Sequence, residues 1–434
     1  MKIDIPKRYD GKFLNFSENR EVGTLPGKLV DYIYEICETI GPRIAGSPQE
    51  AKAAEYLKKK LRPMSNRVTV EEFKCHPGVL QGLIIFEFVC ILIAFILYFV
   101  LPALTTVIIV VTILILFLTR MRGKEIIDVL FKSATSENVI AKIKPKEKVK
   151  KRVIFSGHHD SAFYMPLFAK QKKRLPLLQN IPVYSAILFA VIAAVKSVWL
   201  YLDLFTGVNS LKASLGLLTV TDLIRFNLYI DIIAIVVGLT SVLSGAYFTF
   251  NMVTNTPVMG ANDNLSAVAV ILGIAERVSE NPPRNTEVWV VSFGTEEPAT
   301  LGSKVFAETH GKELENAYVI NLETVGQGRF GVVTKEISVA GNLSKELADI
   351  VVRAGKKCRV PVKPIELKYG NTDATPIARK GYKSVTIMGM DENELFTLWH
   401  IPEDVPENIS EKNLQNALKL CLQILEDIDS MPEA

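Results

Sequence analysis

The most constraining feature of the sequence is the stretch from Phe88 to Thr119, which contains no charged residue. A single helix of this length is longer than a bilayer requires, and Pro102 lies near its middle. Two helices of about 20 residues that turn at Leu101-Pro102-Ala103 would form a transmembrane hairpin in which each helix satisfies its own backbone. Residues 79–120 are therefore predicted to be a membrane hairpin, with Glu87 at its interface.

Two further apolar segments, about Val183 to Leu202 and Leu228 to Phe250, predict a second hairpin within residues 176–252. Their charges, Lys196 and Asp231, lie close enough to the span ends to reach the interface separately. Since ionisable residues in the spans are few, transport through them is disfavoured. The sequence leaves open whether this second pair crosses the bilayer or lies in its interface.

The cations indicate the orientation of the predicted four spans. The turn Leu101 to Leu104 has no charge, and the loop Asp203 to Asp222 has Lys212 as its one cation. Basic residues instead follow the first hairpin and precede the second: Arg120, Arg122, Lys124, Lys132, Lys170, Lys172, Lys173 and Arg174. The positive-inside tendency therefore predicts a cytoplasmic soluble domain, assembled from residues 1–78, 121–175 and 253–434 because each hairpin returns the chain to the same side.

Composition sets broad limits on the class of protein. The mean hydropathy of +0.23 is high for a soluble enzyme, and the excess lies in the apolar stretches. A net charge of +4 is too small to indicate a nucleic-acid partner. The five cysteines are scattered without CxxC spacing, which favours reduced thiols. The stretch Met1 to Asp10 has no apolar core and does not predict a secretory signal. The composition does not indicate an oligomeric state.

The soluble segments alternate between strand and helix patterns, which predicts an α/β fold with a doubly wound, mostly parallel sheet flanked by helices. Val288 to Phe293 is typical of a strand buried on both faces, and it is followed by the adjacent carboxylates Glu296 and Glu297. His158 and Glu323 likewise come just after predicted strands. Because the carboxyl ends of parallel strands meet at one edge, where ligands collect, these side chains are expected to converge.

Asp263, before a predicted helix, and His400, beyond the last predicted strand, complete this set. Taken singly, each has a structural explanation, such as a helix cap for Asp263 or a loop histidine for His400. Taken together, two histidines with several carboxylates suit two zinc ions bridged by one carboxylate. Asp160, two residues after His158, is a candidate to orient that imidazole.

Six motifs in chain order resemble those of the M28 family of zinc exopeptidases. The resemblance covers roughly residues 24–75, 136–165 and 255–430. The motifs are Gly-Pro-Arg-Ile-Ala-Gly-Ser at 41–47, His-His-Asp-Ser at 158–161, Gly-Ala-Asn-Asp-Asn at 260–264, Glu296-Glu297 with Leu301-Gly302-Ser303, Asn321-Leu322-Glu323, and Trp-His-Ile-Pro-Glu-Asp at 399–404.

The resemblance implies two zinc ions per chain and a role for each site residue. Glu323 departs from the family, since many members have aspartate there, but its longer arm still reaches a metal. The implied roles are His158 and Glu323 on one zinc, Glu297 and His400 on the other, Asp263 bridging both, Asp160 supporting His158, Glu296 as general base, and Tyr369 steadying the oxyanion.

The expected function is that of a membrane-anchored dinuclear zinc aminopeptidase, with a peptide substrate and the lipid bilayer as partners. A carboxypeptidase or another amide hydrolase using the same site remains an alternative. A catalytically inactive membrane scaffold is disfavoured, because every implied ligand position and the base position carry a competent residue. The sequence does not give the substrate side-chain specificity, the metal loaded or the role of the hairpins.

Overall fold

The structure, a computed structural model, describes residues 28–206, 215 and 220–432. Nine strands form one mixed sheet in the order β1-β2-β4-β3-β5-β9-β6-β7, and β8 pairs with β6. The strands are β1 Arg67–Cys75, β2 Ala134–Ile143, β3 Lys151–His158, β4 Thr286–Phe293, β5 Ala317–Glu323, β6 Arg329–Glu336, β7 Gly341–Asn342, β8 Val362–Leu367 and β9 Lys383–Met390.

Helices of the described residues flank this sheet and form the two inserted hairpins. They are α1 Lys28–Thr39, α2 Pro48–Leu61, α3 Val79–Leu97, α4 Pro102–Arg122, α5 Pro166–Gln171, α6 Leu175–Thr206, α7 Val220–Met252, α8 Ser266–Glu280, α9 Glu296–Ala299, α10 Leu301–Thr309, α11 Gly311–Leu314, α12 Lys345–Cys358, α13 Ala374–Arg379 and α14 Glu411–Ser430.

The four central strands β4, β3, β5 and β9 are parallel, and the sheet becomes antiparallel on both sides of them. Along β4, Val288 and Val290 enter one core while Trp289 and Val291 enter the other. This alternation is what a strand covered on both faces requires. The predicted α/β class with flanking helices is confirmed, and the sheet is mixed around a parallel centre.

The elements that the sequence did not predict include β6, β8 and α12. Gly331 interrupts the apolar pattern of β6, and Pro364 interrupts β8, whose side chains alternate between buried and exposed. Both residue types are unfavourable within strands, because glycine packs nothing and proline donates no hydrogen bond to the ladder. β6 forms by pairing with β9, and β8 forms by pairing with β6. Local sequence does not indicate either pairing.

Within the described part of the chain, four segments are long and apolar enough to cross a membrane: Val79–Leu97, Pro102–Arg122, Pro166–Tyr201 and Asn227–Met252. The turn of the first hairpin occurs where it was predicted, and Pro102 occupies the first turn of α4, where its missing N–H costs nothing. The helices of the second hairpin extend beyond the predicted spans. The loop between them, including Lys212, lies largely outside the described residues.

The sequence had suggested that Lys196 and Asp231 reach the interface separately. In the structure they form a pair instead. Lys196 Nζ lies 2.5 Å from Asp231 Oδ1, and the Tyr98 hydroxyl donates to the same oxygen at 2.8 Å. The Lys196 ammonium also lies 4.6 Å from the centre of the Tyr98 ring. Lys196 and Asp231 therefore pair with each other against the end of α3.

Several contacts hold the hairpins against the sheet domain. Gln81 donates to the carbonyl of Thr254 at 2.6 Å, and Lys172 pairs with Asp391 at 2.5 Å. The first turns of α3 also pack against α9, which carries Glu296 and Glu297. The helices of the two hairpins thus lie directly beside the carboxyl edge of the central strands.

Candidate metal centre

Five side chains converge at the carboxyl edge of the parallel strands. His158 and Glu323 end β3 and β5, and Glu297 follows β4 in α9. Asp263 lies in the tight turn Ala261–Leu265 that precedes α8, and His400 follows β9 in a loop with left-handed backbone, φ 53°. All five side chains are nearly inaccessible to solvent, with exposed fractions below a tenth.

Asp263 lies between the two histidines and directs one oxygen toward each. His158 Nε2 is 3.3 Å from Asp263 Oδ1 and 3.5 Å from Glu323 Oε1. His400 Nε2 is 3.4 Å from Asp263 Oδ2 and 2.8 Å from Glu297 Oε2. The five residues therefore divide into two donor groups that share one carboxylate.

The residues present fit a pair of divalent cations. In each group the donor atoms lie within 4.8 Å of one another. Among the described residues, the buried Nε2 atoms of His158 and His400 and the Oδ2 atom of Asp263 have no hydrogen-bond partner of good geometry. Imidazole nitrogen with carboxylate oxygen is a donor set that zinc accepts, at about 2.0–2.2 Å.

Electrostatics point the same way, because the cluster concentrates like charge in a buried space. Burial, together with the neighbouring Asp263 and Asp373, raises the pKa of Glu323 to about 8. Burial opposes protonation of His400, but Glu297 and Asp263 raise its pKa to about 10. Bound cations would supply the positive charge that the histidines otherwise provide by protonation.

Glu296 lies beside the two groups, and its carboxylate also comes within 4.8 Å of donor atoms of His158 and Glu297, so these three side chains form a further possible donor group. Its Oε2 atom is 3.8 Å from His158 Nε2, and its side chain is 11 % exposed. Burial and then the neighbouring Asp373, Glu323 and Glu297 raise its pKa well above the ordinary range, while His158 acts in the opposite direction. Glu296 is thus a carboxylate with a high proton affinity next to the candidate metal positions.

Asp160 connects the first histidine to the glutamate pair. Its carboxylate lies 3.2 Å from His158 Nδ1, which leaves Nε2 directed at Asp263 and Glu323. The same carboxylate accepts the backbone N–H groups of Glu296 and Glu297, each at 3.1 Å. A carboxylate on the far nitrogen fixes the ring orientation of a metal-ligating histidine, and here it also fixes the start of α9.

Arg43 connects the loops that carry His158 and Asp263. Its buried guanidinium donates to the carbonyl oxygens of His159 at 2.8 Å and Gly260 at 3.0 Å, and to those of Gly41 and Met259 at 2.9 Å. At Gly260, with φ +66°, an added Cβ would lie 2.9 Å from the guanidinium. Arg43 of the Gly-Pro-Arg motif therefore joins the loops that carry His158 and Asp263 through hydrogen bonds to their backbone carbonyls.

Glu50 and Asp404 give similar support to the backbone near the site. Glu50 holds the residue before α9, and Asp404 holds the turn that carries Asp263. The Glu50 carboxylate accepts the backbone N–H of Thr295 at 2.9 Å, and Thr295 has a left-handed backbone at φ 50° immediately before Glu296. The Asp404 carboxylate accepts the N–H groups of Asn262 at 2.5 Å and Asp263 at 3.1 Å. Each carboxylate holds a loop conformation that local sequence would not favour.

Tyr369 belongs to an aromatic group at the site. Its ring centre lies 6.1 Å from that of Phe396, 6.3 Å from Trp399 and 6.2 Å from Phe168. Its hydroxyl is buried, and within the described part of the chain it has no hydrogen-bond partner. Tyr369 is one of the residues that line the same cavity as Glu296 and His400.

The structure thus brings together all the residues that the sequence analysis singled out. It adds Arg43, Glu50 and Asp404, which the sequence analysis did not assign, and Asp373, which is buried and acts electrostatically on Glu296. Arg43 and Asp404 could have been found from the sequence, because they lie in the family-like motifs at 41–47 and 399–404. Glu50, in the first turn of α2, lies outside these motifs, so its sequence position gave no comparable indication of a role at the site.

Part of the chain is similar in sequence to known peptidases. Residues 243–425 match Peptidase family M28. Aminopeptidase YwaD of Bacillus subtilis (strain 168) is 32% identical over 163 residues, which make up 36% of this chain and 35% of that relative. The chain therefore aligns with about a third of the length of this curated relative.

Solved structures share the fold over nearly the whole chain. BSAP, a zinc aminopeptidase from Bacillus subtilis, superposes with a TM-score of 0.53 at 16% identity, covering 94% of this chain and 96% of that one. A Bacteroides thetaiotaomicron glutaminyl cyclase gives a TM-score of 0.54 at 15% identity, covering 92% and 97%. The fold is that of zinc aminopeptidases, and the resemblance to M28 zinc exopeptidases is confirmed.

Proposed function

We propose that the protein is a membrane-anchored zinc aminopeptidase, which removes N-terminal residues from peptides on the cytoplasmic side of the membrane. The observation that carries this proposal is the division of the site into two donor groups around Asp263, with Glu296 beside them. In the proposed arrangement, His158 and Glu323 hold one zinc ion, Glu297 and His400 hold the other, and Asp263 bridges both.

Zinc bound there would polarise the scissile carbonyl and lower the pKa of water. Glu296 takes the proton of the attacking water and delivers it to the leaving amine. Asp160 keeps Glu296 in position through the backbone at the start of α9. Tyr369 donates its unpartnered hydroxyl to the oxygen on which charge develops.

The test combines metal analysis with hydrolysis by detergent-purified protein. We expect about two zinc ions per chain and turnover of an aminoacyl-amide reporter by the native protein. Glu296→Gln should keep its zinc and lose about 10²- to 10⁴-fold in kcat. Glu315→Gln, an exposed position near the opposite edge of the sheet, is the matched control and should retain activity.

Different results would select the alternatives. Full turnover by zinc-loaded Glu296→Gln would remove Glu296 as the base. Cleavage of N-acetylated peptides from the carboxyl end would indicate a carboxypeptidase. Ammonia release from glutamine-initiated peptides without peptide cleavage would indicate cyclase chemistry, which this fold also supports in a structural neighbour. Failure to bind zinc after reconstitution would leave the membrane-scaffold function.

A further inference from the structure

One cavity of about 630 Å³ joins the candidate metal centre to the membrane helices. Asp263, Glu297 and His400 line it at one end. Its volume is typical of sites for small ligands, so it can hold a short peptide segment but not a folded protein. An aminopeptidase removes one residue, and the rest of its substrate therefore occupies the leaving side of the site.

A wall of this cavity is apolar and comes from the two hairpins. It comprises Leu80 and Leu83 of α3, Leu175 of α6, and Phe248 and Met252 of α7. Leu80 and Met252 also line a smaller adjoining cavity that touches Glu297 and His400. The apolar wall, as we call these five residues, therefore begins next to the candidate metal ligands.

The apolar wall lies at the level of the membrane surface. The uncharged part of α3 begins at Phe88, so at 1.5 Å per residue Leu83 and Leu80 lie about 8 Å and 12 Å before it along the helix, on the headgroup side of the apolar span. Arg120 and Arg122, at the end of α4, line the same cavity. Arginines at the end of an apolar span mark the headgroup region.

Little space separates the metal centre from this surface, because α3 packs against the α9 turn that carries Glu296 and Glu297. A water-soluble peptide would gain no contact from an apolar wall at this depth. A peptide with apolar side chains after its first residue would bury them against the wall while its first peptide bond reached the metal centre.

We propose that the site selects short peptides whose residues after the scissile bond are apolar and which lie in the membrane interface; this rests on the proposed aminopeptidase function. The five wall residues determine this selectivity by contacting the leaving part of the substrate. The hairpins then form part of the substrate site in addition to anchoring the domain.

The experiment compares two amidated tetrapeptides that begin with the same leucine, one continuing Leu-Val-Phe and the other Ser-Thr-Asn. An aminoacyl-amide reporter, which has no leaving peptide, is measured beside them. Activity is assayed in detergent and in lipid vesicles, so that partitioning of the apolar peptide can be separated from recognition. We expect kcat/KM to favour the apolar peptide by about tenfold or more in both media.

Leu80→Gln is the diagnostic variant, and Leu177→Gln is its control. Leu177 lies in the first turn of another membrane helix but is 60% exposed and does not line the cavity. Leu80→Gln should reduce the ratio of kcat/KM between the two peptides by about tenfold, and Leu177→Gln should leave the ratio unchanged.

Equal kcat/KM for both peptides, or a ratio that Leu80→Gln leaves intact, would overturn the inference. Hydrolysis of the reporter in that case would leave the aminopeptidase function standing. Absence of hydrolysis of all three compounds by zinc-loaded protein would instead remove the proposed function, and this inference with it.

Discussion

Arg43 holds together two loops that carry candidate metal ligands, and it does so through backbone carbonyls alone. Four acceptors from two distant segments and its own loop surround one planar guanidinium. A lysine ammonium is a compact point donor and lacks this fork geometry. The spacing of His158 and Asp263 is therefore sensitive to a substitution that preserves charge.

We expect Arg43→Lys to weaken zinc binding by about 10- to 100-fold, the usual effect of losing a group that orients metal ligands. Competition with a chelator of known affinity measures this change. Arg353→Lys, at an exposed position on α12, should leave zinc affinity unaltered. Zinc affinity equal to that of the native protein in Arg43→Lys would show that the carbonyl contacts do not set ligand spacing.

Glu336 makes the stability of the fold depend on pH. It is buried at the end of β6 and accepts hydrogen bonds from the hydroxyls of Thr372 at 2.6 Å and Thr375 at 2.5 Å. Burial raises its pKa from 4.5 to about 7, so ionisation is harder in the folded chain than in the unfolded one. Its contribution to stability is then full below pH 4.5 and is lost as the pH rises through 7.

Glu336→Gln should remove this pH dependence, on the order of 3 kcal/mol between pH 4.5 and values above 7. Thermal unfolding over a pH series, compared with the native protein, measures the difference. Glu366→Gln, on the exposed side of the neighbouring β8, is the control. A parallel pH profile for native protein and Glu336→Gln would refute the assignment.

Among single residues, those that the sequence predicted share one property: each follows a strand or opens a helix. His158, Glu297 and Glu323 could be grouped because parallel strands end at one edge. Glu50, in the first turn of α2, also opens a helix, but it acts on Thr295, far away in the chain. Such a contact depends on how α2 packs on the sheet, which no local pattern specifies.

At the level of elements, the paired charges of the membrane helices are the most testable feature. Lys196 and Asp231 join α6 to α7, and Tyr98 ties the pair to α3. In an apolar surrounding, removing one partner leaves the other uncompensated, whereas replacing both with apolar residues is close to neutral.

Lys196→Met and Asp231→Leu should each destabilise the protein by about 3–5 kcal/mol, and the double variant should recover most of the loss. Unfolding in detergent, analysed as a double-mutant cycle, gives the interaction free energy. Ser197, buried next to Lys196, provides a packing control as Ser197→Ala. Additive losses in the double variant would mean that the two charges act independently.

The first hairpin was predictable as an element because an uncharged run with a central proline has few structural solutions. The helices of the second hairpin were predicted shorter than they are, since polar residues at their ends weaken the hydropathy signal. Pairing across the hairpin, which explains Lys196 and Asp231, requires knowledge of which helix faces meet.

At the scale of the whole molecule, the α/β class followed from alternating strand and helix patterns, and the candidate metal centre followed from the shared carboxyl edge of the parallel strands. The cavity did not, because its walls come from α3, α6, α7 and the sheet domain together. Local periodicity predicts each of these elements but not their packing. The sequence therefore did not give the role of the hairpins, whose ends lie beside the candidate metal centre in the structure.

The order of the strands also has a consequence for synthesis of the protein. β3 lies between β4 and β5, yet both of its neighbours are translated only after the whole second hairpin. β1 likewise waits for β2 until the first hairpin is complete. The sheet therefore closes only after both hairpins have been translated, and His400 emerges from the ribosome last of the five candidate ligands. The proposed peptidase activity then cannot appear before both hairpins have been made.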